Sequence, residues 1–467
     1  MSTDIAVIGG GVSGLAAAYE LRQRGHRVLV LERQVRTGGN AVSERLGGFL
    51  MEHGPTTVNG ASPTALAFSG ALGLDGQRRD LGAGVRRRYL VRDGRLHGLS
   101  THPLGLVAAN YLSAAGRLRM AVETLVGRDR VGEEESVAQF CRRRFGAEFT
   151  SRVIEPLVGG LFAGDAERLS VNALFPRLVE MERRHGSITR AALVRRLKGG
   201  RMPGRVLFSW RDGVGSLPRA LTGALGPAVR TGVTVRRIHR RGDGFGIDVG
   251  EEGVIDARAV LLATQPHVAA ALLENLDVEA AEAAAAIDAP PLAVVFLGYD
   301  RGQIAHPLDG FGFLTPSVEG RSVSGVLFCS TLFQGRAPEA HVALAVYIGG
   351  ARAPDLALRP TEELADLARR ELADLVGARG APVVVRVRQW PRGLPQYEIG
   401  HRQRVDRIAE AARRAPGLFV TGNYISGVSV SACLEQAIAS AARIDGTLRP
   451  RSMPRVPAAA PEARNLV

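Results

Sequence analysis

Two short uninterrupted apolar runs, Ile5-Ala-Val-Ile8 and Val28-Leu-Val-Leu31, flank a stretch with helical spacing from Leu15 to about Arg24. Continuous runs of this length, bounded by glycine or charge, read as strands buried on both faces, so the chain opens strand–helix–strand. From about residue 84 to 206 the pattern turns helical, with apolar stretches at Leu104–Leu112 and Met120–Val126 and an amphipathic helix predicted over Ser136–Phe149. Strand-like runs return at Arg205–Trp210, Gly232–Ile238, Phe245–Val249 and Val254–Ala263, the last leading into a helix near Pro266. Beyond Ala293, the runs Val294–Tyr299, Ser324–Phe328 and Val342–Ile348 look like neighbouring antiparallel strands. A helix over Thr361–Val376 and a strand over Val383–Gln389 follow. The chain closes with Leu418-Phe-Val-Thr-Gly422 and a helix over Ser431–Thr447.

The strand before Gly422 repeats the strand-then-glycine arrangement of the N-terminus, which predicts that the chain returns to its first sheet. The expected fold class is α/β, with a discontinuous Rossmann-like domain over 1–83, 207–292 and 412–449. A mainly helical domain (84–206) and an antiparallel-sheet domain (293–411) are expected as insertions. The tail 450–467, rich in Pro, Ala and Arg, is expected to be disordered.

The first chemistry lies in the opening unit. Its first strand runs into Gly9, Gly11 and Gly14, and the second strand ends in Glu32. Gly9 permits a tight turn, Gly11 lets the backbone approach a pyrophosphate, and Gly14 lets the following helix pack closely. Val12 and Ser13 open that helix, whose free N–H groups and partial positive charge suit phosphates. Glu32, 18 residues after Gly14, is placed to accept ribose hydroxyls. An adenine dinucleotide is the expected ligand; the spacing leaves NAD and FAD both open.

Composition changes the picture only in part. At 467 residues, 45% hydrophobic and 23% charged, the chain is globular, with two or three structural units. Cys141, Cys329 and Cys433 form no CxxC, and the ten histidines, His185 and His401 among them, are scattered. No disulfide framework and no metal site are expected, and a reducing, cytoplasmic setting is. A strand starting at residue 4 leaves no visible signal peptide, and no apolar run is long enough to span a bilayer. The net charge is +14, and Met181–Arg205 carries seven arginines and one lysine against the single acid Glu182. Such a surface favours anionic partners, such as acidic lipid headgroups or carboxylated substrates, or is simply a solvated arginine-rich face.

Three blocks carry a resemblance: Ile154-Glu-Pro-Leu-Val-Gly-Gly-Leu-Phe-Ala-Gly-Asp165 with Leu169-Ser170 and Phe175-Pro176; Pro395-Gln-Tyr-Glu-Ile-Gly-His401; and Gly422-Asn-Tyr-Ile-Ser-Gly-Val-Ser-Val-Ser-Ala-Cys-Leu-Glu435. In this order, over nearly the whole chain, they resemble the FAD-dependent protoporphyrinogen oxidases. The resemblance implies FAD, bound non-covalently. It would be held by the opening glycines with Glu32 and Arg33, by Gly38 and Gly39 after Arg36, by Val235 against the adenine, and by Gly422, Asn423, Val428, Ser429 and Val430 at the flavin. Without bulky side chains, Gly427–Val430 would let backbone N–H groups reach the ring. The helix starting there would aim its positive end at the N1/C2 side.

The resemblance also implies a six-electron oxidation of a porphyrinogen, in three hydride transfers to flavin N5, with oxygen as acceptor and hydrogen peroxide released. No acid or base side chain is assigned to catalysis. The expected substrate contacts are Arg88 on a propionate, Phe311 and Leu314 about a pyrrole ring, the Gly160 carbonyl, and Tyr347. The 293–411 unit would then bind substrate, and the helical unit, with its basic stretch, would lie on an anionic membrane surface as a peripheral protein. A dimer and hand-off to a chelatase are further expectations; nucleic acid is not an expected partner. Protoporphyrinogen IX is the preferred substrate. Coproporphyrinogen III is the alternative, then an amine oxidase or carotenoid desaturase, or an FAD-binding protein without turnover.

Overall fold

A computed structural model describes residues 2–99, 111–127, 134–197 and 206–449. The predicted tail and most of the apolar Leu104–Leu112 stretch lie outside the described residues.

The first sheet has the strand order 229–231, 28–32, 2–8, 254–262, 244–248, 237–241, and the strand Leu418–Val420 pairs parallel with 254–262. Four of its six pairings are parallel, and the other two, joining 237–241, 244–248 and 254–262, are antiparallel. Both faces are covered, which explains why these strands read as continuous apolar runs. One face packs the helices Val12–Gln23 and Val430–Leu448. The other face packs Pro266–Leu273, Val278–Ala285 and His401–Arg414. The return of the C-terminal strand to the first sheet is as expected from its glycine turn.

The second sheet runs 384–390, 292–300, 341–349, 325–328, 310–314, 87–92, 95–99, antiparallel except where 310–314 lies parallel to 87–92. One face is closed by the helix Thr361–Val376. The other looks toward the first domain and is partly covered by Phe49 and Met51 of the hairpin Ser43–Glu52.

Several boundaries differ from the sequence reading. The helical unit predicted over 84–206 contains a hairpin, Arg87–Arg92 with Arg95–Leu99, at the edge of the second sheet. Arginines clustered at its start and at the turn hid its period of two: Tyr89 and Val91 enter the core that the helix covers, while Arg88 and Leu90 face the other way. The strand predicted at Gly232–Ile238 begins only at Arg237, because Gly232 turns the chain with φ of +76°. The helix predicted over Ser136–Phe149 is Val137–Phe145, capped by Ser136 and stopped at Gly146 with φ of +95°. Leu207–Trp210 joins a separate three-stranded sheet with 58–59 and 78–80. Helix 401–414 belongs to the first domain's core, so the antiparallel-sheet segment ends near residue 400 rather than 411.

Candidate active site

Three parallel strands end side by side at Gly9, Ala263 and Thr421, where the strand order reverses direction in sequence. This is the crevice in which open α/β sheets bind ligands. Backbone packing there excludes side chains. A Cβ on Gly9 would lie 2.5 Å from the Ala263 carbonyl oxygen, and one on Gly14 would overlap the Gly9 carbonyl. Gly11, which caps the first helix, has open space instead. The second glycine pair closes the cradle: Gly38 N–H donates to the Gly10 carbonyl at 2.8 Å, and Gly11 bridges Gly38. Glu32 accepts from the Gly10 and Gln34 N–H groups at 2.7 and 2.8 Å, which fixes the carboxylate at the cradle's edge. Gly232 and Val233 donate to the Gln34 and Glu32 carbonyls, bringing the Val235 segment beside it.

The cradle fits a polar, anionic ligand. Around the strand ends, Arg36 Nη2, Thr264 Oγ1, Thr421 Oγ1 and Ser431 Oγ are buried without hydrogen-bond partners in the protein, although such groups are normally paired. Gly14→Ala is expected to give protein purified without flavin, since the overlap forces helix and turn apart; the ratio of flavin to protein absorbance checks it.

The closing segment approaches from the other side. Gly422 and Gly427 hold φ of +147° and +148°, and Ser429 caps the last helix through Ala432 N–H. Val428 and Ser429 are not fully buried, and Val430 starts the helix. Two side chains, neither singled out as functional from the sequence, pin this loop. Tyr397 Oη donates to the Asn423 carbonyl at 2.7 Å. His401 stacks on Tyr397 at 4.0 Å, and its Nε2 lies 2.9 Å from the Tyr424 carbonyl, which makes it the donor. Burial pushes the His401 imidazole down to about 4, so it holds the loop in the neutral form. A depressed folded value means this contribution is present above the unfolded value near 6.5 and is lost as pH falls toward 4. His401→Ala is expected to cost about 1–2 kcal/mol and to flatten the acid side of the wild-type stability profile, measured by denaturation between pH 4 and 7.

The second sheet supplies an apolar floor. Strand register places Leu90, Leu314, Gly325, Tyr347, Val294 and Arg388 side by side across six strands, and directly paired residues share a face. Leu314 and Tyr347 are thus brought together, with only Gly325 between them. Gly160, on the helix Glu155–Phe162, lies over Leu314, for a Cβ there would overlap Leu314 Cδ2. Phe311 alone is out of phase with this face. A bulge between Gly310 and Phe313, with Gly312 at φ of +139°, turns it toward Arg88, whose guanidinium sits 5.0 Å from its ring centre. Burial holds the Tyr347 phenol above its ordinary value. Beside Gly159 the structure adds an ion pair absent from the sequence reading, Arg352 Nη1 to Glu155 Oε1 at 2.8 Å. Among the described residues no group of three or more His, Cys, Asp or Glu could hold a metal.

A dinucleotide cradle opening onto an apolar sheet face is the architecture of a flavin-dependent oxidoreductase. The profile of the family "Flavin containing amine oxidoreductase" matches residues 12–445, and the chain belongs to that family, whose cofactor is FAD. It is 32% identical to the chloroplastic protoporphyrinogen oxidase of Oryza sativa subsp. japonica, over 96% of this chain and 89% of the relative. It is 25% identical to the coproporphyrinogen III oxidase of Bacillus subtilis (strain 168), over 93% and 96%. The fold also matches the crystal structure of a protein provisionally assigned as protoporphyrinogen oxidase from Exiguobacterium sp. 255-15, with a TM-score of 0.83 at 24% identity, covering 95% of this chain and 98% of that one.

Proposed function

We propose that this enzyme oxidises a porphyrinogen to the porphyrin, with FAD as electron acceptor and oxygen as the terminal oxidant. The observation that carries the reading is the Leu314–Gly325–Tyr347 row under Gly160, with Arg88 at its edge. A tetrapyrrole macrocycle that flattens on oxidation needs an apolar slot without large side chains in the middle, and its carboxylates need a forked cation at the rim. The relatives named above support the same class of substrate. Bound FAD supplies a two-electron acceptor, so a six-electron oxidation takes three turns. The protein's residues orient the ring and exclude water. No side-chain acid or base is assigned.

Protoporphyrinogen IX is the preferred substrate. Arg352 at the Gly159 side favours the second reading, coproporphyrinogen III, because four propionates call for cations at more than one edge. Aerobic assays with each porphyrinogen, following porphyrin fluorescence and peroxide, should give turnover, fastest with protoporphyrinogen IX. Inertness toward both, with flavin bleaching by an amine, would overturn the proposal. Arg88→Leu should raise KM for the preferred porphyrinogen by roughly tenfold, the loss of one charge-assisted hydrogen bond.

The reading extends to a membrane surface. Leu118, Leu125, Leu161 and Leu193 are exposed on the helical unit, and no helix among the described residues is long and apolar enough to cross a bilayer. Surface docking on anionic liposomes, weakened by salt, is the expected result in sedimentation; no binding at either salt concentration would reject it.

A further inference from the structure

The strand Val384–Trp390 carries Arg386, Arg388 and Trp390 on one face. Arg386 pairs with Glu44 at 2.7 Å. Arg388 has no such partner: its guanidinium lies 4.4 Å over the Trp390 ring, and its Nε is buried without a hydrogen bond. Trp390 in turn donates to the His53 carbonyl at 2.7 Å, which fixes the end of this strand against the first domain.

A second cation, Arg36, lies within electrostatic reach of Arg388. Arg36 reaches the Gly39 carbonyl through Nη1 at 3.0 Å, while its Nη2 is buried and unpaired. Burial and the nearby Arg388 charge both depress its proton affinity. Two further arginines, Arg33 and Arg392, both exposed, lie near enough to His267 to lower its proton affinity. Neither Arg36 nor Arg388 makes an ion pair among the described residues, although each has a buried nitrogen without a hydrogen-bond partner. Like charges brought together in a partly desolvated seam repel unless an anion lies between them. The seam adjoins Gly10, Gly11 and the N-terminus of the first helix, through the Gly38–Gly10 hydrogen bond. It is thus continuous with the nucleotide cradle.

We propose that Arg388, reaching across from the substrate sheet, clamps the FAD diphosphate opposite Arg36. The bound cofactor then ties the two domains together. The register supports this placement: Arg388 lies two strands beyond Tyr347, about 10 Å at the usual strand spacing. The proposal rests on flavin binding, which the family establishes, and not on the porphyrinogen reading.

The test uses holoenzyme. FAD release after dilution is followed by the gain in flavin fluorescence for wild type, Arg388→Met and Arg388→Lys, at low and high salt. Arg388→Met should raise the FAD dissociation constant by 10- to 100-fold and weaken its dependence on salt. Arg388→Lys, which keeps the charge but not the fork, should lie between. With saturating FAD, the far-ultraviolet spectrum of all three should match. Unchanged FAD retention in Arg388→Met overturns the proposal. Unchanged retention with a raised KM would assign Arg388 to a substrate carboxylate instead, and that also overturns it. Should Arg388→Met fail to fold, Arg388→Lys retaining FAD as tightly as wild type at both salt concentrations would overturn it equally.

Discussion

Arg336→Met is expected to destabilise the protein by about 3–5 kcal/mol, the usual result of breaking a buried pair from one side. Arg336 and Glu52 are 2% and 4% exposed at the side chain, with Nη1 and Oε1 3.0 Å apart. Arg336 also donates to Ser209 Oγ at 2.7 Å, and Glu52 accepts from Ser43 and from Val214 N–H at 2.9 Å. One ion pair thus joins the hairpin under the second sheet to the small sheet beside the nucleotide. Burial pushes Glu52 up to about 7, against the pull of Arg336. A raised folded value contributes stability fully below the unfolded value near 4.5, and this is lost as pH rises through 7. Removing Arg336 removes the group that tolerates the charged carboxylate. The penalty should therefore be larger at pH 8 than at pH 5, as read from urea denaturation of the holoenzyme at both values. An equal penalty at both would mean that Glu52 does not titrate there.

Neither member of that pair could be recognised in the sequence, for a reason that separates the legible from the illegible parts of this fold. Gly9, Gly11, Gly14 and Glu32 declare themselves because turn, helix packing and acid lie within one local unit. The strands around Ile5, Val28 and Val260 are equally plain, since burial on both faces leaves a continuous apolar run. Glu52 and Arg336 are 284 residues apart, and only the closure of one sheet over another makes them neighbours. The same holds for Arg36 with Arg388, and for Arg352 with Glu155. The hairpin at 87–99 was missed because arginines cluster at 86–88 and recur at Arg92 and Arg95, leaving only Tyr89-Leu90-Val91 as an apolar run. Arg386, Arg388 and Trp390 gave a comparable signal, two cations and an indole on one strand face. That pattern marks a strand whose outer face meets something other than core. The stacking of His401 on Tyr397 shows the limit from the other side: a histidine read as merely buried or exposed holds two loop carbonyls together with its neighbour.

The floor of the slot makes the other large prediction. Gly160→Ala would place a methyl group inside the contact distance of Leu314 Cδ2, at a point where helix and sheet approach closely. Overpacking of this kind costs about 1–3 kcal/mol where the surroundings cannot relax. Leu314 Cδ2 lies over Gly325, where an added Cβ would come within 2.9 Å of it, so a displaced Leu314 side chain moves across Gly325 into the slot between Leu314 and Tyr347. A roughly 10- to 100-fold fall in kcat/KM follows if that loss is felt at the transition state. Flavin content should be unchanged, because the contact that a Gly160 Cβ would make is with Leu314 of the second sheet and not with the cradle glycines. Leu314→Ala in the same chain removes the obstructing methyls, so the double variant should recover part of the loss, although Leu314→Ala alone should bind substrate more loosely. Steady-state kinetics on the three variants, with a double-mutant cycle, measures the coupling. Additive losses, or a Gly160→Ala enzyme that melts earlier yet turns over normally, would mean that the Gly160–Leu314 contact is only packing. Strong coupling would mean that the width of the slot is set where these two residues meet.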